Sequence, residues 1–326
     1  MKLFIAVLFA SLYGLSMRLA FGFLGNIMPI MSITFLLLLP MLIGFLTVLL
    51  LPRQKVQSSS SAFFLPWLTC LVILCITLLF SIEGMICWIM VFPLFVILAG
   101  IGGVLAFSFK QRKTKDNQSD STQDSNGGNT LSASVVIIIP LIMGLIEGDR
   151  TTIPREIIAQ KQIQIHASPQ EVWQQILRID TIRQDEHQHK ISALIGFPHH
   201  VHTTLDSAAV GGVRMAYYER GLYFKETITQ YEPGKFMRLA VKTDPYNIPP
   251  TVMDEHILIG GKHLDILEDT YQLELAQDGT TRLTLSSKYM INTPLNWYVS
   301  MWSSMLMDDV LGNELAIIKH RAEVND

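Results

Sequence analysis

Charge is scarce in the first third of this chain. Residues 1–109 hold only Lys2, Arg18, Arg53, Lys55 and Glu83, and across all 326 residues just 16% are charged. An average soluble protein carries roughly 25%, so an ordinary water-soluble enzyme is excluded as a description of the whole chain. Cysteine is also rare. Cys70, Cys75 and Cys87 all fall in that apolar third, which leaves the remainder without a disulfide framework, a thiol nucleophile or a cysteine zinc site. An excess of positive charge is missing too: the formal net charge is -3. That argues against nucleic acid as a partner, because a phosphate backbone calls for a basic face.

What is present reads as two solvents in one sequence. Apolar runs at about 3–24, 29–51, 63–82 and 85–109 are long enough to cross hydrocarbon. Each must be helical, since only a helix satisfies its own backbone polar groups there. The first run is too long for a cleaved signal and is read as a helix in its own right. Arg53 and Lys55 follow the second run; Lys110, Arg112, Lys113 and Lys115 follow the fourth; the other turns carry no basic residue. The positive-inside rule then puts both basic loops in the cytoplasm. Arg18 and Glu83 are read as charges at the membrane boundary.

Residues 110–130 are polar and without hydrophobic period, and are expected to form a flexible cytoplasmic linker. Residues 131–147 form a shorter apolar stretch, expected to be a fifth crossing. The domain expected at 148–326 then lies outside the cytoplasm.

Within that domain, Gln162 to His166 alternates like a strand. Ser168-Pro169-Gln170-Glu171 carries the signature of a capped helix start. Strand-like runs follow at about 201–207, 211–218, 222–231, 235–242, 267–276 and 281–290, and Gly211-Gly212, Pro233-Gly234 and Asp278-Gly279 supply reversals. A last helix is expected from Thr293-Pro294 to about Glu323, with Leu295, Val299, Trp302, Leu306 and Val310 on one stripe. The sheet has one face to cover, and this helix is the only element long enough to cover it.

That order, with the opening from Ile163 to Trp173 (I-x-I-x-A-S-P-x-E-V-W), resembles the START-related, or SRPBCC, helix-grip superfamily, which includes polyketide cyclases. The resemblance covers roughly residues 160–322. The whole chain looks like a bacterial subgroup in which membrane helices precede such a domain, with Glu186, Gly196-Phe197-Pro198, Gly212-x-Arg214, Gly221 and His263-Leu264-Asp265 as matching positions. The fold class implied is an α-helical membrane region plus an α+β helix-grip domain: a curved antiparallel sheet gripping a long C-terminal helix, with an apolar cavity between them.

Ligand-contact candidates are Arg214, Met215, Tyr217, Phe224, Trp297, Met301, Trp302 and Met305, since methionines and aromatics suit a pocket that adapts to apolar shapes. The competing reading is that they fill a solid core. Arg214 can hold a ligand carboxylate or phosphate, or pair with Glu219 or Glu226 across strands; the ion pair is preferred. The proline-rich segment 244–264 has the character of a lid and carries Asp254, Glu255, His256 and His263, with Asp265 at its exit. His256 or His263 with a nearby carboxylate is a weak acid–base candidate, because no nucleophile or oxyanion motif accompanies it. His187, His189, His199, His200 and His202 match no metal-binding spacing, so neither metal nor cofactor is expected.

The function expected is binding of a hydrophobic small molecule or lipid by a domain anchored, as a multi-pass protein, in a bacterial cytoplasmic membrane. The alternatives are a cyclase- or hydrolase-like enzyme using the same cavity, and a sensory or assembly module whose protein partner the sequence does not name.

Overall fold

The structure, a computed structural model, describes residues 2–25, 27–119, 138–148, 152–188, 191–245 and 258–324. The chain divides into two units, Met1–Glu83 with Cys87–Thr152, and Gly84–Ile86 with Ile153–Asp326.

The first unit is helical: α1 (Lys2–Phe23), α2 (Leu39–Leu50), α3 (Ser59–Leu79), α4 (Met85–Ser119) and α5 (Ile138–Glu147). Lys2–Phe23, Ser59–Leu79 and Met85–Arg112 are long and apolar enough to cross a membrane, whereas Thr34–Leu50 and Ile138–Glu147 are shorter apolar helices. The second run is shortened because a wide π-turn at Thr34–Leu38 precedes Pro40, whose ring cannot sit on a regular upstream turn. Residues 110–119 of the expected linker are helical. α4 continues to Ser119, since no proline or glycine interrupts the helix-forming Lys, Gln and Arg residues after Phe109. Residues 120–130, and 131–137 of the expected fifth crossing, lie outside the described residues.

Glycines set the helix spacing. A Cβ on Gly44 would lie 1.8 Å from the Ala99 carbonyl oxygen, and one on Gly102 would lie 1.8 Å from that of Met41, so α2 and α4 touch backbone to backbone. Lys110 Nζ donates to the carbonyls of Val48 (2.7 Å) and Leu51 (2.5 Å), satisfying the end of α2. Arg18 and Glu83, read separately as boundary charges, form one ion pair.

The second unit is built on a seven-stranded, wholly antiparallel, curled sheet in the order β1-β7-β6-β5-β4-β3-β2. Its strands are β1 (Arg155–Ile165), β2 (His200–Leu205), β3 (Val213–Tyr218), β4 (Tyr223–Glu232), β5 (Phe236–Lys242), β6 (Leu264–Leu275) and β7 (Thr281–Ile291). β1 begins earlier than its alternation suggested and pairs with β7 along its whole length, from Arg155↔Ile291 to Ile165↔Thr281. The glycine turns form as expected, with Gly211, Gly234 and Gly279 at positive φ. Bulges between His200/His202, Ile228/Gln230 and Ile266/Glu268 bend the strands.

Ser168 and Glu171 make the reciprocal capping box that starts α6 (Pro169–Leu177). After the short α7 (Ile191–Ile195) and the meander, α8 (Asn296–Val324) packs on β1 and β7 and against α6 and α7. The space between sheet and helix is solid at one end, where Trp173, Ile176, Leu283, Leu315 and Ile318 form the core.

Candidate functional site

Towards the middle of α8 the packing stops being solid. A cavity of about 110 Å³ lies between the sheet and the helix segment that carries Ser303, Met307, Val310, Leu311 and Glu314. At roughly 10–15 Å³ per water-sized guest, that is room for several. Its wall is mainly apolar, with Phe197, Ala216, Phe224, Val241 and Ile266 among the lining residues.

One part of the wall is ionic. β3 alternation turns Arg214, Ala216 and Tyr218 inward, and the register Arg214↔Glu226 puts a carboxylate directly across from the guanidinium. Arg214 is 2% exposed; its Nη1 donates to Glu226 Oε2 at 2.5 Å, and its Nη2 lies 3.7 Å from Glu314 Oε1. The guanidinium also sits over the Tyr271 ring, 5.4 Å from the centroid. His200 bridges the other side, with Nδ1 2.8 Å from Glu314 Oε2 and Nε2 2.7 Å from Thr203 Oγ1. A carboxylate only accepts, so the Nδ1 proton points at Glu314. Among the described residues, Arg214 Nε and Nη2 find no hydrogen-bond partner, although both are shut off from solvent. Such orphans are rare in folded interiors.

The electrostatics follow from burial and neighbours. Desolvation opposes charge on Glu314, but His200 and Arg214 outweigh it and hold the carboxyl below its ordinary range. Asp269 goes the other way. Desolvation and then the Glu226 carboxylate push it up to about 7, against the pull of Ser287 and Arg214. Burial raises the phenols of Tyr218 and Tyr271 well above the usual tyrosine value, so both stay neutral.

Of the expected contact residues, the cavity takes Arg214 and Phe224. Met215 and Tyr217 alternate onto the opposite sheet face, where Tyr217 stacks on His202 with centroids 4.6 Å apart. Trp297, Met301 and Met305 are 66%, 48% and 42% exposed, and Trp302 does not line the cavity either. Of the expected apolar stripe on α8, Leu306 and Val310 line the cavity, joined there by Ser303, Met307, Leu311 and Glu314. Asp309 turns towards α7 and accepts from Ser192 N at 2.9 Å and Oγ at 2.6 Å, while Asn313 accepts from Gln188 N at 2.7 Å. These bonds, together with inward-facing Glu314, orient the helix.

The expected lid pairing falls mostly on residues that are not described. His256, with Asp254 and Glu255, is among these. His263 donates from Nδ1 to the Asn292 carbonyl at 2.8 Å, and neither it nor Asp265 lines the cavity. Burial raises the Asp265 carboxyl. In the histidine cluster, His187 and His199 lie ring to ring at 4.9 Å, and His200 stacks on Tyr218 at 5.0 Å. No group of three metal-ligating side chains occurs among the described residues.

Asp269 and Glu314 were missed as site residues. Simple alternation from Leu264 and Ile266 points Glu268 inward; the bulge at that point reverses the phase and brings Asp269 and Tyr271 in. Nothing in one sequence announces such a bulge.

No family model matches the chain, and no curated protein does. Among solved structures, a truncated norcoclaurine synthase from Thalictrum flavum is 13% identical with a TM-score of 0.31, the match covering 52% of this chain and 92% of that one. The Aha1 dimer from Colwellia psychrerythraea is 15% identical with a TM-score of 0.28, covering 52% and 98%. DynU16, from the dynemicin biosynthetic locus, is 12% identical with a TM-score of 0.30, covering 51% and 48%.

Proposed function

We propose that the second unit binds a hydrophobic small molecule or lipid in the cavity under α8, and that the apolar helices hold it at a membrane. The observation that carries this is the unfilled, mainly apolar space between sheet and helix, beside a solid core of the same domain. Interiors of folded domains are close-packed, so a retained, mainly apolar gap is what a ligand site requires. Anchoring fits the same reading. Apolar ligands partition into the bilayer, and a pocket tethered there meets them at high effective concentration without high intrinsic affinity. The basic residues after α2 and within α4 put those ends of the helices on the cytoplasmic side, and a crossing by 131–147 puts the cavity domain on the other.

The test uses the full chain purified in nanodiscs. Native mass spectrometry and organic extraction are expected to find an apolar species at one per chain. Ala216→Phe, which fills the cavity from a residue only 3% exposed, is expected to expel it. Failure of the intact protein to retain any apolar guest or bind an apolar fluorescent probe refutes the reading.

A second reading, acid–base catalysis in the same cavity, is favoured by the His200–Glu314 contact at 2.8 Å and by Asp269 near neutrality. It predicts that His200→Gln abolishes turnover of a bound substrate while leaving its affinity nearly unchanged.

A further inference from the structure

We infer that the outer face of the first three turns of α8 is a membrane-docking surface, and that its occupant is the interfacial region of the bilayer that holds the apolar helices. The inference goes beyond the cavity reading and rests on the anchoring part of it.

The first ground is an exposed apolar stripe. Trp297, Met301 and Met305 recur at every fourth residue and so share one face of α8. They are 66%, 48% and 42% exposed. Ile153, whose carbonyl accepts from Asn296 Nδ2 at 2.6 Å, is 74% exposed beside the helix start. Singly exposed apolar residues are ordinary in a folded domain, but a contiguous stripe marks an interaction surface. Its chemistry fits a bilayer interface. From Tyr289 to Met307 no side chain carries a permanent charge. Trp297 meets Tyr298 edge-on with centroids 5.6 Å apart, and these two ring types gather where hydrocarbon meets headgroups. Charge returns at Asp308, whose carboxylate accepts from Lys161 Nζ at 2.6 Å.

The second ground is the tether, which favours the bilayer over another copy of the chain. At the end of α5, the Glu147 carboxylate accepts from Ile33 N at 2.5 Å, Thr34 N at 2.8 Å and Thr34 Oγ1 at 2.7 Å. These bonds fasten it to the start of the apolar Thr34–Leu50 run. Residues 148–152 alone separate Glu147 from Ile153 in the chain, a reach of no more than about 20 Å. Asn296 in turn holds Ile153 at the start of α8. A surface on so short a leash meets lipid at high effective concentration. The opposite face of the same turns carries Ser303, Leu306 and Met307, which line the cavity. Docking therefore leaves a guest about one helix diameter, roughly 10 Å, from lipid.

The experiment uses the full-length protein in nanodiscs of phosphatidylethanolamine and phosphatidylglycerol. The photocrosslinker p-benzoylphenylalanine is placed in turn at positions 301, 305, 277 and 71. Gln277 is exposed in the turn at the opposite end of β7 from α8, and Leu71, 47% exposed on α3, reports the apolar helices themselves. After illumination, mass spectrometry is expected to find lipid adducts at 301 and 305 at least tenfold above those at 277. Met301→Asp, with its fold checked by thermal melting, is expected to cut the lipid adduct at 305 severalfold. Yields at 301 and 305 no higher than at 277 overturn the inference. So do adducts there to a second copy of the chain instead of lipid, or an unchanged yield at 305 in Met301→Asp. Absence of lipid adducts at 71 overturns the anchoring reading itself, and the inference with it.

Discussion

Arg321→Leu is expected to be among the most damaging single changes in the second unit. Arg321 Nε and Nη2 donate to the two oxygens of Glu186 at 2.7 and 3.0 Å, and Nη1 and Nη2 reach the carbonyls of Asp180 (2.9 Å) and Thr181 (3.0 Å). The Glu186 side chain is only 4% exposed. The Arg321 hydrogen bond, opposed by desolvation and helped by the Arg183 amide, lowers its carboxyl from 4.5 to about 2. At about 1.4 kcal/mol per pH unit, such a displacement corresponds to about 3 kcal/mol. Removing one partner of a buried pair costs a similar amount, about 3–5 kcal/mol. For a unit of this size, 3 kcal/mol is about 6–12 °C in Tm. The folded value lies below the unfolded one, so this stability is present above pH 4.5 and is lost as pH falls towards 2. Differential scanning fluorimetry of wild type and Arg321→Leu from pH 7 to pH 2.5 should therefore show a gap that is full at neutral pH and closes in acid. A gap under 2 °C at pH 7, or one that does not change with pH, refutes the assignment.

Asp269 gives the opposite sign. Its folded value near 7 exceeds the ordinary 3.8, so ionisation destabilises the fold increasingly as pH rises through that interval; Asp269→Asn should raise Tm more at pH 8 than at pH 5. Ile318→Ala, at a fully buried core position on α8, should cost about 2–5 kcal/mol by chemical denaturation at unchanged m-value. Gly102→Val should push α4 off the Met41 backbone and lower the thermal stability of the full chain in detergent, whereas Gly234→Ala, with open space around its Cβ but φ at +72°, should cost only about 1 kcal/mol.

Much of the architecture was legible because it depends on local periodicity. Charge depletion marks the apolar helices, Ser168-Pro169-Gln170-Glu171 marks the start of α6, and two-residue alternation with glycine turns marks the meander. The Arg214–Glu226 pair was also within reach, since a short hairpin sets their register. The inner face of α8 was legible only in part: Leu306 and Val310 of the expected stripe line the cavity, but so does Glu314. An apolar stripe predicts the buried side only when apolar contacts alone orient a helix, and here Asp309, Asn313, Glu314 and Arg321 do much of that work through partners more than 100 positions away.

By itself the sequence determined two things: an apolar helical region joined to a polar α+β unit, and the antiparallel hairpins of that unit's meander. Both follow from which residues can meet water and from how far a turn can reach. Tertiary structure alone decided which charges share one enclosure. The bulge before Glu268 turns Asp269 inward, and the pitch of α8 delivers Glu314 to Arg214 and His200. Electrostatic energy depends on separation in space and on exclusion of water, and neither quantity is encoded at any one position along the chain.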